Sequence, residues 1–313
     1  MRSYLFVPII LACTLFFSVS CKGNKLSDAE TIADEYYLTY NVNFHEEIIK
    51  PEVQAWQKVA KVIYPRVCDD TETQWAAFQA DSLANVLLSE SNFSNGEQLA
   101  RLCEIQNTIA YGMSYFSAII GAYTNPKASE AARMMMQSSY AEIDSLRNTD
   151  YRNARMLLDF EQSAYANIGL FMELGTQYSD GEPQFVTNNH EMNALNNARI
   201  NVLFKECNDS VQAFRYSSFI NNTTFFMTYC PLTFWLAGNE YQQANQDEYI
   251  KIGGWFDKQV EQVNTAIYNN DIEGLPKLTL EEYSAIEKQA SKYRVRLIEL
   301  LANGITSIPL EQQ

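Results

Sequence analysis

The chain has 313 residues, with 38 acidic against 23 basic side chains and a formal net charge of −15. That balance repels phosphate backbones and anionic head groups, which excludes nucleic acid as a partner and a charge-driven hold on lipid. Hydrophobic residues are 47% of the chain, enough to pack a core, and 12 glycines with 8 prolines are too few for a turn-rich β architecture.

The first element reads as a leader. Arg2 supplies a positive start, Leu5 to Phe17 is almost wholly apolar, and Ser18-Val19-Ser20 is a run of small residues ending at Cys21. The apolar run is about 13 residues, short of the roughly 20 that a spanning helix needs, so the pattern is that of a secretory signal. Ser18-Val19-Ser20-Cys21 resembles the lipobox of bacterial envelope lipoproteins, departing from it at Ser18, where Leu is more usual. The resemblance covers only the leader. It implies a signal peptide over 1–20 and lipid attached to Cys21, with Lys22 directing the protein to the outer membrane. Several acyl chains hold a protein on a bilayer far better than one. Residues 21–26, the lipid-bearing Cys21 and a short polar stretch, then act as a tether. Which face of the outer membrane the domain occupies stays open.

Helix signals follow in close succession. Ser27-Asp28-Ala29-Glu30 is a capping box opening a helix to about Ile49. Pro51 suits the first turn of the next helix, to about Tyr64, and another runs from about Glu72 to Leu88. Ser94-Asn95-Gly96-Glu97 opens a long helix with Leu99, Leu102, Ile109, Met113, Phe116, Ile120 and Tyr123 on one stripe. Asn125-Pro126 closes it and starts a helix to about Arg147. Tyr151 to Tyr178 carries Leu158, Tyr165 and Ile168 on one face, and Ser179 to Pro183 is the strongest break. Asn188 to about Ile220 reads as helix, with an interruption expected at Asn221 to Thr224. Pro231 is expected to open a short helix to Gly238, followed by Asp247 to Tyr268. Gly274-Leu275-Pro276 is a stop, and Thr279-Leu280-Glu281-Glu282 caps a final helix with Ile286, Ala290, Tyr293, Leu297, Leu300 and Leu301 in register. The expectation is an all-α bundle of eight to ten mostly antiparallel helices over 27–303, with room for two sub-bundles (27–178 and 184–303) and a loose tail at 304–313. Thr223 to Gly238, the most apolar stretch beyond the leader, is too short to span a membrane and contains Pro231.

Four cysteines lie beyond the leader and Cys21: Cys68, Cys103, Cys207 and Cys230. Helix offsets of roughly 20 Å argue against joining Cys68 to Cys103, and Cys207 with Cys230 fails similarly. A bridge from Cys68 to Cys207 or Cys230 stays open beside the reading of all four as small buried hydrophobes. The two histidines, His45 and His190, each precede glutamate. Ile49 and Ala194 stand where a zinc-protease helix needs its second His, and Val42 and Thr187 where a di-iron bundle needs Glu. A metal site joining His45, His190 and Glu191 across helices is the weak candidate that remains.

No phosphate loop, dinucleotide fingerprint, nucleophile elbow or Cys-x-x-Cys is present, and no cofactor is implied. Adjacent acids such as Glu46-Glu47, Asp247-Glu248 and Glu281-Glu282 point about 100° apart on a helix, which is not a glycosidase pair; Asp159-x-Glu161 is a further acidic pair. The aromatic cluster from Phe214 to Trp235 reads as core before ligand wall, and the Asn-rich run (Asn188, Asn189, Asn193, Asn196, Asn197) as a solvated face. The resulting expectation is an outer-membrane-anchored helical lipoprotein, a non-catalytic binding, assembly or accessory module, with the membrane and an envelope protein as partners. The competing reading is an enzyme or metal-binding module with a site assembled from scattered His and carboxylate residues.

Overall fold

The computed structural model describes residues 43–67, 81–89, 97–106, 108–109 and 189–308, and the pairs 158–159, 161–162, 165–166 and 168–169. The described residues are all-α, with no strand among them. Six helices fall there: α1 (Lys50–Val67, entered through a wide turn His45–Ile49), α2 (81–89), α3 (97–106), α4 (Asn189–Glu206), α5 (Ser210–Tyr268) and α6 (Leu280–Thr306). The helical pairs 158–159, 165–166 and 168–169 contribute Leu158, Tyr165 and Ile168 to the same core. Cys21 with its leader and tether, the capping boxes at Ser27 and Ser94, the helix expected from Pro126 to Arg147, and the Ser179–Pro183 break lie outside the described residues.

Local chemistry explains several helix ends. Thr279 and Glu282 form the expected capping box, each side chain accepting from the other's backbone N–H. The Gly274–Pro276 stop is also where expected, between α5 and α6. At the other end of α5, Asp209 is an N-cap that accepts from the Val211 and Gln212 amides. Four expectations are corrected. The helix expected from Asn188 to about Ile220 is split at Cys207 to Asp209, between α4 and α5. No boundary falls between Ile49 and Pro51: the Lys50 N–H reaches back five residues to the His45 carbonyl, and this widened turn lets Pro51 sit in a continuous helix without clashing with the preceding carbonyls. Asn221 to Thr224 and Pro231 do not interrupt the chain but lie inside α5. The tail expected at 304–313 begins later, because Gly304, Ile305 and Thr306 form the last turn of α6 and Ile305 is fully buried. Gly304 permits this, since a Cβ there would stand 2.9 Å from the Cβ of Ala237.

The 59 residues of α5 are two arms folded on each other at Gly238. Gly238 has φ 83 and ψ 174, a region essentially closed to residues with a Cβ. On either side the contacts run in opposite order: Phe234 packs edge-on against Tyr249 with centroids 4.6 Å apart, and Phe226 packs against Phe256 and over Gly253. The second arm then runs antiparallel to α6, as short connections require. Elements distant in sequence pair differently. Glu47, Glu52 and Lys58 of the first helical stretch meet Lys288, Arg294 and Glu299 of α6 in ascending order, so these helices are parallel.

One apolar core takes side chains from both sides of residues 179–183. Trp56 is fully buried, edge-on to Tyr229 at 5.3 Å and to Phe225 at 6.5 Å, and Tyr165 closes on the same two rings. Phe214, Tyr216, Phe219, Phe225 and Tyr229 are buried as core, the commoner fate of such a cluster. Among the described residues no helix is long and apolar enough to cross a membrane.

Gly238→Ala forces an alanine into the positive-φ bend and is expected to lower stability by about 1–3 kcal/mol. Urea denaturation checks this, and an unchanged midpoint would show that the bend does not need glycine.

Candidate functional site

The first arm of α5 carries Ser217, Ser218, Asn221, Asn222, Thr224 and Thr228, all buried. The hydroxyls partly satisfy themselves on their own helix, with Ser217 donating to the Ala213 carbonyl at 2.7 Å and Thr224 to that of Ile220 at 2.9 Å. The Asn221 and Asn222 amides instead reach to other elements. Buried amides and charges need partners to offset lost hydration, and here the partners form one interior network.

Arg294 of α6 is at its centre, its side chain only 13% exposed. Its Nε and Nη2 donate to Glu52 Oε1 at 3.1 and 2.7 Å, and its Nη1 donates to Asn222 Oδ1. Glu287 Oε2 lies 3.5 Å from Nη1. Burial pulls the guanidinium pKa down, but Glu52 and Glu287 more than offset it and hold it above the ordinary value. Ser291 donates to Glu52 at 2.6 Å, while Asn222 and Ser218 donate to Glu287 Oε1 at 2.9 and 3.0 Å. Tyr283 donates to Ser218 at 3.1 Å.

A second lobe adjoins the first. Asn221, next to Asn222, donates through Nδ2 to Glu161 Oε2, and its Oδ1 accepts from Gln162 Nε2. Gln162 also donates to Thr224 at 3.2 Å, and Asn196 of α4 donates to the same hydroxyl at 2.8 Å. Cys103 of α3 donates its S–H to Glu161 Oε1 at 3.5 Å. Burial raises the Glu161 carboxyl to about 7, against the opposing pull of Arg294, and Glu52 and Glu287 raise it further. Burial likewise pushes Cys103, Tyr165 and Tyr229 well above their ordinary values, with the Glu161 charge adding to each. These groups are therefore neutral at pH 7, and Cys103 is a thiol.

The sequence-predicted candidates fall elsewhere. His45 sits in the wide turn ahead of α1, its Nδ1 2.8 Å from Gln98 Oε1 of α3. His190 and Glu191 begin α4, where Glu191 is exposed. The His45 turn packs on α1 and α6, whereas α4 packs on α5, so the two histidine positions belong to different packing neighbourhoods. No group of three or more metal-ligating side chains occurs among the described residues. The Asn run is not the solvated face expected of it, since Asn193 and Asn196 are buried. Asn193 donates to the Tyr165 carbonyl at 3.0 Å, and Asn188 lies outside the described residues. Cys207 and Cys230 are thiols, and Cys68 lies outside the description.

The adjacent acids divide. Glu46 and Glu47 pair with Lys50 and Lys288, and Glu282 caps α6. Asp247 and Glu248 line a surface cleft of about 440 Å³ between the second arm of α5 and α6, where Lys251, Lys292 and Tyr293 complete the wall. Arg296 there holds Glu248 through two bonds of 2.6 and 2.7 Å, which lowers the carboxyl pKa.

Glu52, Glu287, Arg294, Asn221 and Asn222 were not anticipated. A signal existed. Glu52 stands in the register of Ile49, Trp56 and Val59, and Glu287 and Arg294 in that of Tyr283, Ala290 and Leu297. A charge in a core register needs a partner. No protein-family model matches the chain, and no curated protein or solved structure is similar to it at a significant level.

Removing one member of a buried ion pair costs about 3–5 kcal/mol because its partner stays buried and uncompensated. Arg294→Met is expected to destabilise the protein by that amount at pH 7 in urea denaturation. A loss below 1 kcal/mol would mean that water already solvates Glu52.

Proposed function

We propose that the protein is an outer-membrane-anchored helical lipoprotein acting as a non-catalytic binding or assembly module. The observation that carries the reading is the leader that ends in Ser18-Val19-Ser20-Cys21-Lys22. It supports a lipid on Cys21 and an address at the outer membrane. The interior supports the non-catalytic half. Glu52, Arg294 and Glu287 are occupied in holding α1, α5 and α6 to one another. A binding role fits the surface cleft, where cationic and anionic side chains flank the Tyr293 ring.

The competing enzymatic reading has one observation in its favour. Glu161 is partly buried with a carboxyl raised to about 7, the range of a general base, beside the Cys103 thiol. The two readings separate on metal and on anchor. Stoichiometric zinc or iron in the purified protein, lost in His190→Ala, would overturn the non-catalytic reading.

For the anchor, cells grown with a clickable palmitate analogue should label the wild-type chain and leave Cys21→Ser unlabelled. Lys22→Asp should move the labelled protein from outer to inner membrane fractions in a density gradient. Equal labelling of wild type and Cys21→Ser would remove the lipoprotein reading altogether.

A further inference from the structure

Among the described residues, the interior network sets three carboxyl groups, Glu52, Glu161 and Glu287, around the Arg294 guanidinium. The guanidinium hydrogen bonds go to Glu52 and Asn222, with Glu287 close by. Among the described residues, the donors to Glu161 are neutral, the Asn221 amide and the Cys103 thiol. The described groups facing it are Cys103 from α3, Glu52 from α1, Arg294 and Glu287 from α6, and Tyr229 from α5. Tyr165 lies one turn along its own helical segment. Arg199 of α4 donates to Asn196 at 3.0 Å. Ionising Glu161 thus places a further charge in a buried site beside the Glu52 and Glu287 carboxyls.

We propose that Glu161 is a proton-binding latch, holding the helical residues Glu161, Gln162 and Tyr165 against α5 when its carboxyl is neutral and loosening them when the carboxyl ionises. Asn221 Nδ2 donates to Oε2, so the bound proton sits on Oε1 and faces Cys103 Sγ, where a thiol can accept as well as donate. Loss of that proton to solvent leaves a charge whose burial outweighs the attraction of Arg294 and the bonds from Asn221 and Cys103, with Glu52 and Glu287 adding to the cost. The partly buried position of Glu161 gives the proton a path out. The segment is held to α5 at this point by the Glu161 and Gln162 bonds to Asn221 and Thr224, and by Tyr165 against Phe225 and Tyr229.

The direction of the effect follows from linkage. A carboxyl whose pKa is raised in the folded chain contributes stability that is full below its unfolded value. That contribution is lost as pH rises through the folded value. With about 7 in the fold against 4.5 in the open chain, the equilibrium holding the segment closed falls by roughly 70-fold between pH 5 and pH 8. The test is amide hydrogen exchange of the full chain at pH 5, 6, 7 and 8, corrected for the intrinsic pH dependence. In the wild type the 158–169 peptide should lose protection over this range, and in Glu161→Gln it should not. Equal pH dependence in the two proteins would overturn the latch. The unaltered chain gives an independent check. With ¹³C-labelled glutamate, one carboxyl should titrate near neutrality, and completion of every glutamate titration below pH 6 would also overturn it.

Discussion

The fold depends on keeping the Arg294 guanidinium paired away from water. Taking a cation and a carboxylate into a medium of low polarity costs several kcal/mol per ion unless geometry and hydrogen bonding are both satisfied. Here Glu52 of α1, Asn222 of α5 and Glu287 of α6 meet that condition together. The consequence is register more than raw stability, since a well-packed apolar trio of the same volume is often no less stable than a buried ion cluster. Moving α6 by one residue would turn Arg294 about 100° around its axis, leaving charges unpaired. Such a constraint suits two parallel helices 240 residues apart in sequence, which no short connection holds in place.

The same distance separates what is legible in the sequence from what is not. The Thr279 box is legible because its partner is three residues away, and the final apolar stripe because one face of one helix contains it. Asn221 to Thr224 look like an interruption when read alone, since Asn and Thr compete with the helix backbone for hydrogen bonds. In the fold the Asn side chains are claimed by Glu161, Gln162, Glu287 and Arg294, all at least 59 residues away. That pairing leaves the backbone free to continue as helix. The true break at Cys207 to Asp209 contains neither glycine nor proline, and only the Asp209 cap marks it. Pro51 misleads for a related reason, because the wide turn ahead of it absorbs the strain that would otherwise end a helix.

For the interior network, residue position is a better guide than residue type. His45, His190 and Glu191 attract attention because histidine beside glutamate is common chemistry, yet they fall in separate packing neighbourhoods. Glu52, Glu287 and Arg294 are unremarkable as types and informative as positions, each a charge in the register of buried apolar residues. The Asn-rich run of α4 shows the same point. Its residues follow no motif, but Asn193 and Asn196 face the interior and tie α4 to Tyr165 and Thr224.

The interior network and the surface cleft are not independent. Residues 292–296 of α6 serve both: Arg294 turns inward to Glu52, while Lys292, Tyr293 and Arg296 line the cleft. Arg296 lies two residues beyond Arg294, about 200° around the helix, and grips Glu248 on the second arm of α5. One turn therefore carries both guanidinium–carboxylate contacts on opposite faces. A rotation of α6 large enough to take Arg294 off Glu52 also takes Arg296 off Glu248. The charge state of the interior and the shape of the cleft are thus set by the register of the same helix.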